Sequence, residues 1–493
     1  MKKSLIDKKA VALTLGSLLA FEAFFLLICL VVSVCYGESD IFPLAITTAI
    51  TAAIGIYSIS VSRRKRGESD VKLGRREGYL IVSLVWVVFS LFGALPYYIG
   101  GYTETFTDAY FETISGFSTT GATIFTNVET LPHGIALWRS TTQWVGGMGI
   151  IVLSLAILPF LGVGGMQLYI AEVTGPTKDK LTPRVMQTAQ MLYGAYIAIT
   201  VSEVILFCIG GMDIFDSVCH AMTTISTGGF STKNDGIVFW HSPLLEYFVC
   251  FYMVLAGVNF MVTFTLLKGD FTRARNSEEF NIYMILNIVM TFLVFGGLLY
   301  TNRNTMIDTE DTFRTALFES TALVSGTGFV YTDISQWHPF IWGILFICMI
   351  IGGSAGSASG GIKIMRVLLL VKNSYLEFKR LLHPQAIIPV KLNKKVVTEK
   401  IITNILAYVV IFSGICLISI IIFMLFGNEF TESAGMAISC LSNVGPGLAS
   451  QTNGIFALQD DFIKWFMGLL MLIGRLEIFT VLFILTPVFW KKS

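Results

Sequence analysis

Charge is what this 493-residue sequence has least of: 14% of its residues are Asp, Glu, Lys or Arg, against about 25% in a soluble globular protein. Hydrophobic residues make up 54% and the mean hydropathy is +0.71. Too little charge remains to solvate a water-facing surface, which excludes a string of soluble ~150-residue domains. Lys and Arg number 34 against 33 Asp and Glu, so the chain is no globally basic nucleic-acid binder. Cysteine is sparse and scattered, at 29, 35, 208, 219, 250, 348, 416 and 440, with no CxxC pair. That spacing excludes a disulfide scaffold and a structural zinc site. Five histidines, His133, His220, His241, His338 and His383, form no motif of the kind a membrane-embedded enzyme would place near one face. No enzymatic activity and no organic cofactor are expected.

What the sequence has in abundance is long apolar runs. A helix needs about 20 mostly apolar residues to cross a bilayer core, and ten stretches qualify: 11–35, 42–62, 78–100, 135–158, 185–210, 244–267, 280–301, 338–370, 401–426 and 462–490. The first is too long in its apolar run for a signal peptide. The chain is therefore expected to be an all-α, multi-pass membrane protein in contact with lipid. Basic residues gather in alternate connections: Lys2 to Lys9, Arg63 to Arg76, Lys178 to Arg184, Lys268 to Arg275, Lys363 to Lys400, and Lys491 with Lys492. These segments hold 28 of the 34 bases. If the spans alternate, all six lie on one side, and both termini are cytoplasmic.

Four of the opposite connections carry a short apolar stretch followed by a Gly/Ser/Thr run. They are Phe111 to Thr123 (FETISGFSTTGAT), Val218 to Phe230 (VCHAMTTISTGGF), Phe318 to Val330 (FESTALVSGTGFV) and Gly435 to Gly447 (GMAISCLSNVGPG). Aligning Gly121, Gly228, Gly328 and Gly445 brings small hydroxyl residues together before each glycine and sets Phe111 and Glu112 over Phe318 and Glu319. One unit of span, short helix, glycine run and span thus recurs four times. It divides the chain into an N-terminal two-helix domain (1–76) and four pore repeats, 77–184, 185–278, 279–395 and 396–493. Non-helical backbone at membrane depth is tolerated only where protein buries it or it lines a water-filled cavity. Glycine frees the backbone to turn its carbonyls, and rings of carbonyls can replace a cation's hydration shell. The alternative is close helix packing through small residues. Four equally placed runs favour the pore.

These motifs carry a resemblance over essentially the whole chain. TTGAT at Thr119–Thr123, STGGF at Ser226–Phe230, GTGF at Gly326–Phe329, NVGPG at Asn443–Gly447, GGIKIMRV at Gly360–Val367 and GRLEIFTVL at Gly474–Leu482 resemble the TrkH/TrkG members of the Trk/Ktr/HKT potassium-transporter superfamily. The extra N-terminal pair of spans is similar to the TrkH type, whereas the eight-span KtrB type usually lacks it. The resemblance implies a K⁺-uptake protein of the bacterial inner membrane. K⁺ would be held by backbone carbonyls of Thr119, Thr120, Ser226, Thr227, Gly326, Thr327, Asn443 and Val444, with Gly121, Gly228, Gly328 and Gly445 setting the loops. In plant relatives a serine at the first filter glycine goes with Na⁺ selectivity, and here all four positions are glycine. The fourth loop departs from the others in Asn443, Val444 and Pro446, so a fourfold-symmetric filter is not expected. The resemblance also implies a homodimer and a cytosolic ring of TrkA-like nucleotide-binding (ATP, ADP or NAD) regulatory subunits. The basic 372–400 connection is a docking surface for them, or an anionic-lipid contact.

Arg475 lies within the last span, where an unpaired charge is costly. Glu477, two residues on, would face away from it on a helix. Either Arg475 pairs with a carboxylate of another repeat, or its charge stands beneath the filter as a barrier. The run Gly352, Gly353, Ser354, Ala355, Gly356, Ser357, Ala358, Ser359, Gly360 and Gly361 interrupts the eighth span. It is not a Walker A loop, since Ile362 follows Gly361 and no Gly-Lys-[Ser/Thr] is present. By the resemblance it is an intramembrane gate; otherwise it is a loose helix packed by small residues. Glu112 and Glu319 either bond the filter or simply cap and pack. His220 reads as a packing residue rather than a metal ligand. Glu22 and Glu203, inside spans, leave open a proton- or sodium-coupled K⁺ secondary transporter, with Na⁺ transport a lesser alternative. Sorted by this topology, the inner connections hold 28 bases against 11 acids and the outer ones 5 against 19. An acidic outer face of that kind concentrates cations at a pore entrance.

Overall fold

The computed structural model describes residues 6–62, 75–152, 181–301, 308–448 and 453–491. The basic residues Lys2, Lys3, Arg63 to Lys72, Lys178, Lys180 and Lys492, and the end of the expected 135–158 span, lie outside those residues. The described chain is almost entirely helical, with one two-stranded hairpin, Lys391–Leu392 with Lys395–Val396.

Four short helices stand where the short apolar stretches were read: Phe106–Phe117, Ile214–Ile225, Thr309–Ser325 and Phe430–Ser442. Polar caps start each of them. Thr105 Oγ1 accepts from the Asp108 amide, Asp213 from Phe215 and Asp216, and Asp308 from Glu310, while Glu429 and Glu432 form a capping box. None is long enough to span a bilayer. Each lies between two other helices, longer than it except that Pro339–Ile351 has 13 residues beside the 17 of Thr309–Ser325: Arg75–Gly93 and His133–Val152, Leu181–Ile209 and Pro243–Ala256, Glu278–Thr301 and Pro339–Ile351, Glu399–Leu425 and Asp461–Arg475.

Packing closes these four units into a ring. Every short helix rests on the two long helices of its own unit and on the second long helix of the preceding one. The first touches Asp461–Arg475, the second His133–Val152, the third Pro243–Ala256 and the fourth Pro339–Ile351. The first pair of helices, Lys8–Tyr36 and Ile41–Ser62, pack chiefly on each other and lean on the first unit from outside the ring.

Among the described residues six helices are long and apolar enough to cross a membrane, and eight if each of two bent pairs counts as one span. Those bends correct two sequence expectations. The 244–267 stretch is Pro243–Ala256 and Phe260–Leu267 meeting at 117°, and the 462–490 stretch is Asp461–Arg475 and Ile478–Leu485 meeting at 116°. At the first break Asn259 starts the new helix, its side chain accepting from the Met261 amide at 2.9 Å. The 338–370 stretch is likewise Pro339–Ile351, a loop, and Ile364–Leu382. The Gly/Ser run marks this last break in the sequence, but apolar residues continue across the two bends, so hydropathy does not register them.

Candidate functional site

The backbone takes the same turn after every short helix. Thr119, Thr227, Gly326 and Asn443 have φ of 54°, 55°, 76° and 53°, and two residues later Gly121, Gly229, Gly328 and Gly445 have φ of 85°, 80°, 67° and 100°. Left-handed residues alternate with ordinary ones, a conformation that favours glycine. This geometry corrects the register of the second loop: the counterpart of Gly121 is Gly229, not Gly228. Hence Thr227 and Gly228 stand where Thr119 and Thr120 do. Ser226, at φ −78°, still belongs to the helix end, beside Ser118 in the alignment. The amides agree, Thr120 donating to Ser115 O (2.9 Å), Gly228 to Thr223 O (2.8 Å) and Val444 to Ser439 O (3.0 Å).

The four glycines also close on one another. A Cβ built on Gly121 would strike the carbonyl oxygen of Gly228. One on Gly229 would meet that of Thr327, one on Gly328 that of Val444, and one on Gly445 that of Thr120. Glycine is therefore required twice over, by φ and by contact with the neighbouring loop. Thr119, Thr120, Thr227, Thr327, Asn443 and Val444 are all fully buried in this ring. Beyond it opens a cavity of about 110 Å³, lined by Gly121, Gly229 and Gly328 and by Thr123, Arg139 and Lys233.

Side chains brace the loops from behind. Ser118 and Thr120 share a hydroxyl bond of 2.7 Å, and Ser325 and Thr327 one of 2.8 Å. In the fourth loop Asn443 Nδ2 instead donates to Thr120 Oγ1 (3.0 Å) and Met471 O (2.9 Å). The choice left open for the two glutamates falls to loop bonding. Glu112 accepts from Thr123 Oγ1 and the Ile124 amide, both at 2.9 Å, and Glu319 from the Tyr331 and Thr332 amides at 3.3 and 3.2 Å. In the corrected register His220 holds the same place in the second unit, its Nε2 2.9 Å from Ser231 Oγ and its Nδ1 2.9 Å from Asp216 O.

Sequence reading missed Arg139 and Gln143, and the polar run Arg139–Gln143 inside an apolar span was the available signal. Arg139 Nε donates to Glu112 at 2.8 Å, and both side chains are nearly inaccessible. Its guanidinium also donates to Ser231 O and lies 4.2 Å from the Phe230 ring centre. Removing one partner leaves a buried charge unpaired, so Glu112→Ala is expected to cost about 3–5 kcal/mol. Thermal unfolding of the purified variant in detergent would show a markedly lowered midpoint; an unchanged one would remove Glu112 from the brace.

On the other side of the ring lies the loop after Pro339–Ile351. Its backbone is tied to three other elements: the Ser354 amide donates to Gly257 O (2.9 Å), the Ala355 amide to Glu279 Oε1 (2.6 Å), and the Phe260 amide to Gly356 O (3.1 Å). Asn259 Nδ2 donates to Ala355 O at 2.6 Å, and Ser359 Oγ accepts from the Gly353 amide at 2.8 Å. Gly360 is pressed against the carbonyl of Ser442, the last residue of the fourth short helix. Arg475 ends its helix rather than sitting mid-span. It donates from Nη1 to Ala358 O (2.5 Å) and from Nη2 to Gly146 O (3.2 Å). Among the described residues it pairs with no carboxylate. Glu477 lies past the helix end, where it binds Arg366, with Lys363 Nζ at 3.9 Å. Lys363 (φ 74°) and Glu477 (φ 63°) each begin the helix beyond a break in left-handed backbone, a conformation that costs about 1–3 kcal/mol outside glycine. Glu22 and Glu203 are buried; among the described residues Glu22 has no hydrogen-bond partner, and it lies by Gly93 and Thr113, behind the first short helix.

A ring of four units, each a short helix between two others and closed on glycine loops, with six to eight membrane-length helices among the described residues, defines a membrane transport protein rather than an enzyme. The chain belongs to the TrkH family of cation transport proteins, whose model matches residues 45–488. It is 36% identical over 449 residues to the Trk system potassium uptake protein TrkH of Salmonella typhimurium, covering 90% of this chain and 92% of that one. To the potassium uptake protein TrkG of Escherichia coli it is 30% identical, covering 94% of each. The crystal structure of the potassium transporter TrkH from Vibrio parahaemolyticus superposes with a TM-score of 0.89 at 30% identity, over 99% of this chain and 100% of that one.

Proposed function

We propose that this protein conducts K⁺ inward across a bacterial inner membrane, through one pore at the centre of its own four repeats. The cyclic contact of Gly121, Gly229, Gly328 and Gly445 with carbonyls of the next loop carries this reading. It puts four backbone turns of one kind about one axis, which is what a carbonyl-lined cation site needs. The carbonyls assigned to K⁺ are those of Thr119, Thr120, Thr227, Gly228, Gly326, Thr327, Asn443 and Val444. The four short helices add to this, since their C-terminal ends, each carrying roughly half a negative charge, meet at the loops.

In this reading ten spans and four re-entrant helices make up repeats 77–184, 185–278, 279–395 and 396–493 after an N-terminal pair, with both termini in the cytoplasm. The loop 352–361 and Arg475 close the pathway below the filter. A homodimer and TrkA-like nucleotide-binding subunits on the cytoplasmic face, docking on the 372–400 connection, would regulate it.

Purified protein in liposomes tests the proposal. Under an outward-to-inward K⁺ gradient, uptake is expected to exceed that under a matched Na⁺ gradient, and current to reverse at the K⁺ equilibrium potential. Uptake that needs an imposed proton gradient would instead make it a coupled transporter, with Glu22 or Glu203 as proton carriers.

A further inference from the structure

At the ring position held by Thr120, Thr327 and Val444, the second loop has Gly228. The backbone does not demand glycine there, because Gly228 lies outside the left-handed region, as its three counterparts do. The missing side chain's space is filled from elsewhere: a Cβ built on Gly228 would collide with the carboxamide of Gln143. Gln143 is fully buried in helix His133–Val152 of the preceding repeat. Its Nε2 donates to the Gly228 carbonyl at 2.7 Å and its Oε1 accepts from the Phe230 amide at 3.1 Å.

The first and third loops are braced within their own repeats by Ser118–Thr120 and Ser325–Thr327. The second loop keeps the matching serine, Ser226, but has no threonine for it, and that hydroxyl turns back to Met222 O (2.8 Å) and Thr223 O (3.1 Å). A carboxamide carries its donor and its acceptor on separate atoms, so it can donate to a carbonyl and accept from an amide two residues on at the same time. A carbonyl has two lone pairs, so one can be held by Gln143 while the other stays available to an ion.

We infer that Gln143 is a specificity-determining positioning residue: lent by the first repeat, its carboxamide replaces a Ser–Thr brace and aims the Gly228 carbonyl at the transported cation. The inference rests on the filter reading above. Discrimination between cations depends on where the carbonyl dipoles stand, so loosening one loop in four lowers selectivity. The geometry also makes the position exchangeable, since a threonine at 228 could pair with Ser226 once the carboxamide is gone.

The experiment compares K⁺ and Na⁺ uptake by proteoliposomes holding the parent, Q143A, G228T, and the double variant Q143A/G228T. In Q143A the K⁺/Na⁺ ratio is expected to fall about tenfold, equivalent to ~1.4 kcal/mol. G228T alone, with its Cβ against Gln143, should be at least as impaired, and the double variant should regain most of the ratio. That recovery is what a merely structural role would not produce. A parental ratio in Q143A, or a double variant no better than Q143A, overturns the inference. Should Q143A not fold, Q143M keeps the volume without either hydrogen bond; if it also fails to fold, folding restored by the double variant supports the brace and its absence refutes it. G121S separates the two levels: if it shifts the ratio and Q143A does not, only the role of Gln143 falls. If G121S does not shift it, the filter reading falls and this inference with it.

Discussion

Arg475→Ala is expected to raise K⁺ flux by roughly 30-fold. The guanidinium is buried and anchored by two backbone carbonyls, Ala358 O on the loop and Gly146 O on the first repeat. Neither carbonyl neutralises it, and the nearby carboxylate, Glu477, is already bound to Arg366 and Lys363. In the proposed pathway its full charge would face any cation below the filter. A like charge ~8 Å away at an effective dielectric constant of ~20 adds about 2 kcal/mol to the barrier, which is about 30-fold in rate. Rb⁺ uptake into proteoliposomes at equal protein content measures it. Arg475→Lys keeps the charge and should stay near the parental rate. Unchanged or lower flux in a monodisperse Arg475→Ala preparation would remove the charge barrier from the account.

Shortening the loop between Gly353 and Ser359 should raise flux at least as much. This segment is held across the region below the ring by bonds to Gly257, Asn259, Phe260 and Glu279, and it carries the Ala358 carbonyl that anchors Arg475. Deleting it removes the obstruction and frees the arginine side chain in one step. The two changes should therefore not add: combining the deletion with Arg475→Ala should gain less than the product of the separate effects, as expected for groups in direct contact. A folded deletion variant with parental flux would refute the gate. Strictly multiplicative gains would mean that loop and arginine act separately.

Much of this architecture was legible in the residues. Apolar runs marked the long helices, and Gly/Ser/Thr clusters after short apolar stretches marked the four units, because re-entrant backbone needs residues that tolerate unusual φ and close contact. The second loop was misread by one residue, since STGGF offers two glycines and composition cannot choose between them. Only the backbone shows that Gly229 takes the left-handed turn while Gly228 makes room for Gln143. That shift also concealed His220 as the counterpart of Glu112 and Glu319. The bends at Gly257 and Glu477 were invisible for a different reason: hydropathy averages over a window and records no direction.

By itself the sequence pointed to a membrane-embedded, four-unit protein with a basic and an acidic face, because solvent preference and local backbone propensity act on residues near one another in the chain. Tertiary structure decided which residues control the centre. Gln143 meets Gly228, Asn443 meets Thr120, and Arg475 meets Ala358, pairs 85, 323 and 117 residues apart. Such contacts exist only once neighbouring repeats have packed together, and that of Asn443 with Thr120 only once the last repeat meets the first. Before closure these are isolated polar residues in apolar helices, and nothing local says which partner each will find.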